Sequence, residues 1–129
     1  MTTRSCAVAI ALLLLVSDCK DANKPDPTLD GSWSGGYTEA VVCTGMYIPI
    51  TMALAQSDSA ISGIASVGGG ASNVGVSGTY TYPQVSLRFR FPASSGFGGF
   101  NFTGTLANAT TMTGHIDYCG WDPATFTRQ

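Results

Sequence analysis

The sequence predicts an all-β domain that closes as an eight-stranded, antiparallel up-and-down barrel. From Val85 to Phe91, apolar residues alternate with polar ones, and side chains alternate across a strand with a period of two. Charged residues make up 11% of the chain and glycine occurs 16 times, a composition that suits short strands and turns. With no helix to cover it, the apolar face of such a sheet must be buried by the sheet itself.

The same alternation recurs along the chain. Trp33, Gly35 and Tyr37 open the first strand, and Tyr82-Pro83 forms the turn before the strand that begins at Val85. Residues 68–73 are rich in glycine and are expected to form a flexible run. The predicted strands cover residues 31–42, 48–55, 61–67, 74–80, 85–91, 100–106, 111–117 and 124–128.

Glycines inside the predicted strands favour a barrel. Each of these glycines follows a Ser or Thr and occupies an inward-facing position of its strand. The absence of a side chain there lets the strands coil tightly and leaves room for large neighbours. These glycines are Gly63, Gly78, Gly104 and Gly114. A two-sheet β-sandwich remains the alternative.

The first residues have the pattern of an export signal. Arg4 precedes an apolar run over residues 7–16, which is too short to span a bilayer comfortably. Cys19 follows in the string LVSDC, which resembles the lipobox of bacterial lipoproteins, although Asp18 stands where they usually have Gly, Ala or Ser. The resemblance implies lipid attachment at Cys19 and a membrane anchor in the bacterial cell envelope, on its periplasmic or surface side. Ordinary signal-peptidase cleavage and a buried N-terminal helix stay open as alternatives.

Three segments follow from this interpretation. Residues 1–18 are the predicted signal peptide, and residues 19–30 are the lipid-attachment cysteine with a flexible, polar tether that contains Pro25 and Pro27. Residues 31–129 are the predicted barrel domain.

The barrel resembles the calycin group, the lipocalins and avidins. Those families open strand one with G-x-W and have an arginine near the end of the last strand, and Gly31-Ser32-Trp33 and Arg128 match this pattern. In an eight-stranded meander both ends meet, so we expect Arg128 to lie over or beside the indole of Trp33. The strands with S-G or T-G pairs are more similar to those of avidins, but no set of biotin-contacting residues can be matched.

Two cysteines remain once Cys6 leaves with the signal peptide and Cys19 carries lipid. An exported protein meets an oxidising compartment, where such cysteines usually pair. In the predicted meander, Cys43 and Cys119 lie at the same rim beside the seam between the first and last strands. We therefore predict a Cys43–Cys119 disulfide, with two free buried thiols as the alternative.

Catalysis and metal binding find little support. His115 and Asp117 share the outer face of one strand, where a hydrolase would need a nucleophile and an oxyanion site beside them. The acidic residues lack Ca²⁺-loop spacing, and one histidine with two loop cysteines does not make a zinc site. We expect no enzyme activity, no metal and no cofactor. Nucleic acid is excluded as a partner because Lys and Arg number only six.

Three functions stay in competition. The preferred one is a non-catalytic envelope lipoprotein that acts through protein contacts, which exposed loop aromatics such as Phe97 and Trp121 would favour. The second is a lipocalin- or avidin-type binder of a small apolar ligand, and the third is a hydrolase. The inward residues that could line a cavity, or simply fill the barrel, are Ile48, Met52, Val76, Leu87, Phe89, Phe102 and Ile116.

Overall fold

A computed structural model describes residues 25–129, which form a closed barrel of eight antiparallel strands. Each strand pairs with the next, and the last pairs with the first. The predicted barrel is confirmed and the sandwich alternative is excluded, while the signal peptide and Cys19 lie outside the described residues. The strands are β1 (Gly31–Thr38), β2 (Tyr47–Ser57), β3 (Ala60–Val67), β4 (Ala71–Thr81), β5 (Gln84–Arg90), β6 (Gly99–Asn108), β7 (Thr111–Ile116) and β8 (Asp122–Arg128).

The barrel has two different ends. At the capped end, the chain enters β1 and leaves β8, and the connections are two-residue turns at 58–59, 82–83 and 109–110. At the opposite end, which we call the disulfide rim, longer loops join the strands. These loops cover residues 39–46, 68–70, 91–98 and 117–121.

Inward-facing side chains fill the barrel. In β5, Val85, Leu87 and Phe89 are buried while Ser86 is exposed, as the period of two predicts. Phe89 packs against Phe100 with ring centroids 5.0 Å apart. Six of the seven candidate cavity residues belong to one continuous buried cluster, and Ile48 packs against it as a partly buried neighbour. The aromatic rings therefore occupy the space that a ligand would need.

The inward glycines are required by close strand approach. Gly104 and Gly114 are direct cross-strand partners in β6 and β7. A Cβ on Gly114 would overlap the carbonyl oxygen of Thr103 and lie 2.5 Å from the Cα of Gly104. Any side chain here would push the two strands apart.

Two strand boundaries differ from the predicted ones. β1 ends at Thr38 rather than at residue 42, because the chain turns over residues 41–44, where the amides of Cys43 and Gly45 donate to the Ala40 carbonyl. β4 begins at Ala71, inside the predicted flexible run, and pairs with Val67 across a register shift. A β-bulge absorbs the extra residue, so the glycine-rich loop is reduced to residues 68–70.

The capped end is closed by residues 27–30, which the sequence assigns to a flexible tether. Leu29 is fully buried, and its carbonyl accepts a 3.0 Å hydrogen bond from the Trp33 indole. The Tyr80 hydroxyl donates to the Pro27 carbonyl. The packed domain therefore begins before Gly31, because one apolar side chain and its backbone complete the core.

Candidate functional site

Large apolar side chains are concentrated at the disulfide rim. Eight such side chains are exposed within residues 25–129, and six of them lie at or beside this rim. Val41 and Val42 are 88% and 85% exposed, and Trp121 is 59% exposed. Exposed apolar patches of this kind usually mark contact surfaces. The apolar rim patch, as we define it, consists of Val41, Val42, Met46, Tyr47, Tyr118 and Trp121.

The loop of residues 39–46 is fixed from two sides. Cys43 forms a disulfide with Cys119, with Cα atoms 6.4 Å apart, which confirms the predicted pairing. Inside the loop, the Thr44 hydroxyl donates to the Glu39 carboxylate and accepts a 3.1 Å hydrogen bond from the Met46 amide. Because the loop backbone is tied down, the two valines at its tip are held in solvent.

Buried acidic groups lie beneath the patch. Glu39 is 7% exposed and Asp122 is 2% exposed. The Tyr37 hydroxyl lies 3.4 Å from Glu39 Oε2, and the Cys119 amide donates to Asp122 Oδ2 at 3.1 Å. Burial, and then the negative charge of Glu39, raise the pKa of Tyr37 well above its usual value of 10.

The charge at the rim is net negative. The four rim loops contain Glu39 and Asp117 and no lysine or arginine, and the strand ends beside them add Asp122 and one arginine, Arg90. The rim therefore combines exposed apolar side chains with more carboxylates than cations.

An aromatic cluster positions the loop of residues 117–121. Tyr118 meets the Phe97 ring edge-on, with centroids 5.2 Å apart, and Phe97 in turn contacts Phe91 at 4.8 Å. Phe97, which the sequence offers as an exposed contact residue, is therefore partly buried as packing. Trp121, offered with it, remains exposed.

The two residues of the hydrolase hypothesis have different partners in the structure. The rings of His115 and Trp121 stack, with centroids 4.9 Å apart and planes 10° from parallel. Both Asp117 carboxylate oxygens accept hydrogen bonds from Asn101, at 2.8 and 2.9 Å. These bonds lower the pKa of Asp117, the backbone bond from Asn101 being the largest cause. Asp117 thus orients Asn101, not His115.

Sequence reasoning missed the valines of the apolar rim patch, because their apolar character extends the predicted first strand. The signal that could have found them is Cys43-Thr44-Gly45, a turn-rich triplet directly after Val42. A loop assignment there would have left both valines without a core to enter.

Within residues 25–129, no group of three or more His, Cys, Asp or Glu side chains could hold a metal ion. The same part of the chain has no helix long and apolar enough to span a membrane. No protein-family model, no curated protein and no solved structure matches this chain.

Proposed function

We propose that this chain is an exported domain of the bacterial cell envelope, anchored by lipid at Cys19, that acts without catalysis by binding a protein partner. The apolar rim patch carries this proposal. A rigid loop that holds Val41 and Val42 in solvent beside Trp121 exposes apolar area that folding alone would bury.

The charge of the rim favours a protein over a lipid surface. Peripheral membrane binding combines apolar side chains with lysine or arginine that attract anionic lipids. The rim loops have carboxylates and no such cation, and the strand ends beside them add a single arginine, Arg90. A partner with apolar side chains flanked by basic residues would match both features.

The position of the patch agrees with an anchor at Cys19. The chain enters the barrel at the capped end, where Pro27 is already held by Tyr80. Residues 20–26 are seven in number and can extend by at most about 25 Å. A lipid-anchored barrel would therefore stay near its membrane, with the capped end toward the bilayer and the rim pointing away.

The two other candidate functions have weaker support. A small apolar ligand inside the barrel would compete with Phe89 and Phe102, which are both fully buried. The hydrolase hypothesis has less support because both Asp117 carboxylate oxygens accept hydrogen bonds from Asn101.

Photo-crosslinking in the native host tests this proposal. A photoreactive amino acid at Val42 should yield one discrete adduct with another protein, and the same group at Ser86, on the outer wall of β5, should not. The double substitution Val41→Ser, Val42→Ser should abolish the adduct formed from a probe at Met46. It should change the free energy of unfolding by no more than about 0.5 kcal/mol, because both valines are exposed.

Three outcomes would contradict the proposal. They are the absence of an adduct at Val42, the same adduct at Ser86, and an adduct of twice the chain mass, which would indicate self-association. Release of wild-type protein as a soluble species, unchanged by Cys19→Ala, would refute only the lipid anchor.

A further inference from the structure

The outer wall of the barrel carries two adjoining grooves, which together extend from Gln129 beside the capped end to the loop of residues 91–98 at the disulfide rim. One, of about 470 Å³, crosses β1 to β4 on their outward face. The other, of about 670 Å³, lies between the start of β4 and the loop that follows β5. Ser72 and Asn73 line both grooves, so the two form one surface that we call the outer trough.

The lining of the outer trough is rich in neutral hydrogen-bonding side chains. It contains six serines, one threonine, Asn73 and Gln129, and its only charged side chain is Arg90. Each hydroxyl can donate and accept, and an amide offers both functions as well. The Ser95 hydroxyl already bonds to the Pro92 carbonyl and the Gln129 amide to the Thr127 carbonyl, which leaves the other serines, Thr51 and Asn73 for a ligand. The trough can therefore satisfy a ligand with many hydroxyl groups and at least one negative charge.

The backbone at the centre of the trough is unusual. Asn73 has a φ of 60°, a conformation that Asn adopts more often than most non-glycine residues, and it lies beside the register shift between β3 and β4. Bulges and residues with positive φ are enriched next to functional sites, where they redirect a side chain.

Apolar surface is also present in the trough. Ile64 is 50% exposed on the outward face of β3. Phe91 lines the other groove, and its ring is held against Phe97 with centroids 4.8 Å apart. Fixed apolar surfaces beside hydroxyl groups suit a sugar ring, which has an apolar face and a polar rim.

Other ligand classes fit the trough less well. A peptide cannot add to the sheet as a strand, because the closed barrel has no free edge. Nucleic acid needs several cations along its backbone, and the trough has one arginine. A lipid chain would meet mostly hydroxyl groups.

We propose that the outer trough binds an acidic oligosaccharide. Arg90 pairs with a carboxylate of the sugar chain, while Asn73 and the serines bond to its hydroxyl groups. Ile64 and Phe91 pack against ring faces. This site is independent of the apolar rim patch and of any anchor at Cys19.

An NMR titration of the full-length chain, followed through the amide signals of residues 25–129, tests the proposal. The probe is a galacturonic acid hexamer, and neutral cellohexaose is the control. The acidic hexamer should bind saturably and shift the amide signals of Asn73, Ser66 and Arg90. Cellohexaose should bind at least about tenfold more weakly, because it cannot form a charge-assisted pair with arginine.

Two variants separate recognition from folding. Arg90→Gln should weaken acidic-hexamer binding about tenfold, whereas Arg88→Gln, two residues earlier on the same strand, should change it less than about twofold. Asn73→Gly suits the positive φ and removes only the side chain, so it should weaken binding without unfolding the barrel. The absence of saturable binding, equal affinity for cellohexaose, or shifts confined to other surfaces would overturn the proposal.

Discussion

The guanidinium of Arg128 lies 4.4 Å from the centroid of the Trp33 ring and joins the end of the last strand to the start of the first. The two residues are also direct partners in the β1–β8 ladder. The guanidinium donates to the carbonyls of Thr28, Asp30 and Ala109, so one side chain holds the cap, the seam and a turn together.

Removing this side chain should destabilise the barrel. Arg128→Ala should lower the free energy of unfolding by about 2–4 kcal/mol, because three carbonyl contacts and a cation–π contact are lost together. Arg128→Lys should recover only part of the loss, since an ammonium cannot reproduce the planar fork. Urea unfolding measures both, with Arg88→Ala as the control. Equal stability of Arg128→Ala and wild type would contradict the role described for Arg128.

The disulfide should be a major source of stability. It links residues 76 positions apart, and the chain-entropy model gives about 4.5 kcal/mol for a loop of that size. Cys43→Ser with Cys119→Ser should lower the urea midpoint accordingly. Mass spectrometry of the unreduced wild-type protein after alkylation provides the check, and free labelling of both thiols would show that the bond is absent.

Two glycines offer a matched test of strand packing. Gly114→Ala should cost about 1–3 kcal/mol, because its Cβ would overlap backbone atoms of β6. Gly75→Ala should be neutral or stabilising by up to about 1 kcal/mol, since its Cβ would lie 3.8 Å from the Arg90 carbonyl oxygen and alanine restricts the unfolded chain. Thermal unfolding compares them, and equal losses at both positions would refute the close-approach argument.

Stability should fall at alkaline pH because of Tyr37. Burial and Glu39 raise its pKa in the folded state, while the unfolded chain releases the proton near pH 10. The contribution is therefore fully present below pH 10 and is lost as pH rises above it. Tyr37→Phe should make the decline between pH 9 and pH 11 shallower in urea unfolding. An unchanged slope would assign the decline to other groups, such as Tyr80, whose pKa is also raised by burial.

Period-two alternation predicts the strands, and the inward glycines with the absence of predicted helices favour their closure into a barrel. Val85, Leu87 and Phe89 point inward because each strand buries one face, and the closed order of the strands is the one expected. The disulfide is also predictable, since the strand topology brings Cys43 and Cys119 to one rim and the other two cysteines lie in the predicted signal and anchor segments. The barrel depends on an alternation that repeats along the chain, and the disulfide pairing depends on the direction in which the strands run.

The missed features depend on single residues. Leu29 stands alone between polar neighbours, so no periodicity reveals that it completes the core. Val41 and Val42 are as apolar as strand residues, but the β1–β2 ladder ends at the pair Thr38 and Tyr47. The position of that end depends on the register of the two strands and not on the composition of the loop. Asn73, which lines the outer trough, likewise has a positive φ beside a register shift that the alternation of apolar residues does not reveal.

The disulfide and Arg128 lie at opposite ends of the same seam, the ladder between β1 and β8 that runs from Trp33 to Tyr37. A pull on the loop of residues 39–46 passes through Cys43 to Cys119, and so reaches the chain on both sides of the seam at once. The first strand cannot be peeled away from the rim while that covalent link holds. While the bond is intact, a load on that loop is therefore divided between the chain that follows β1 and the chain that precedes β8.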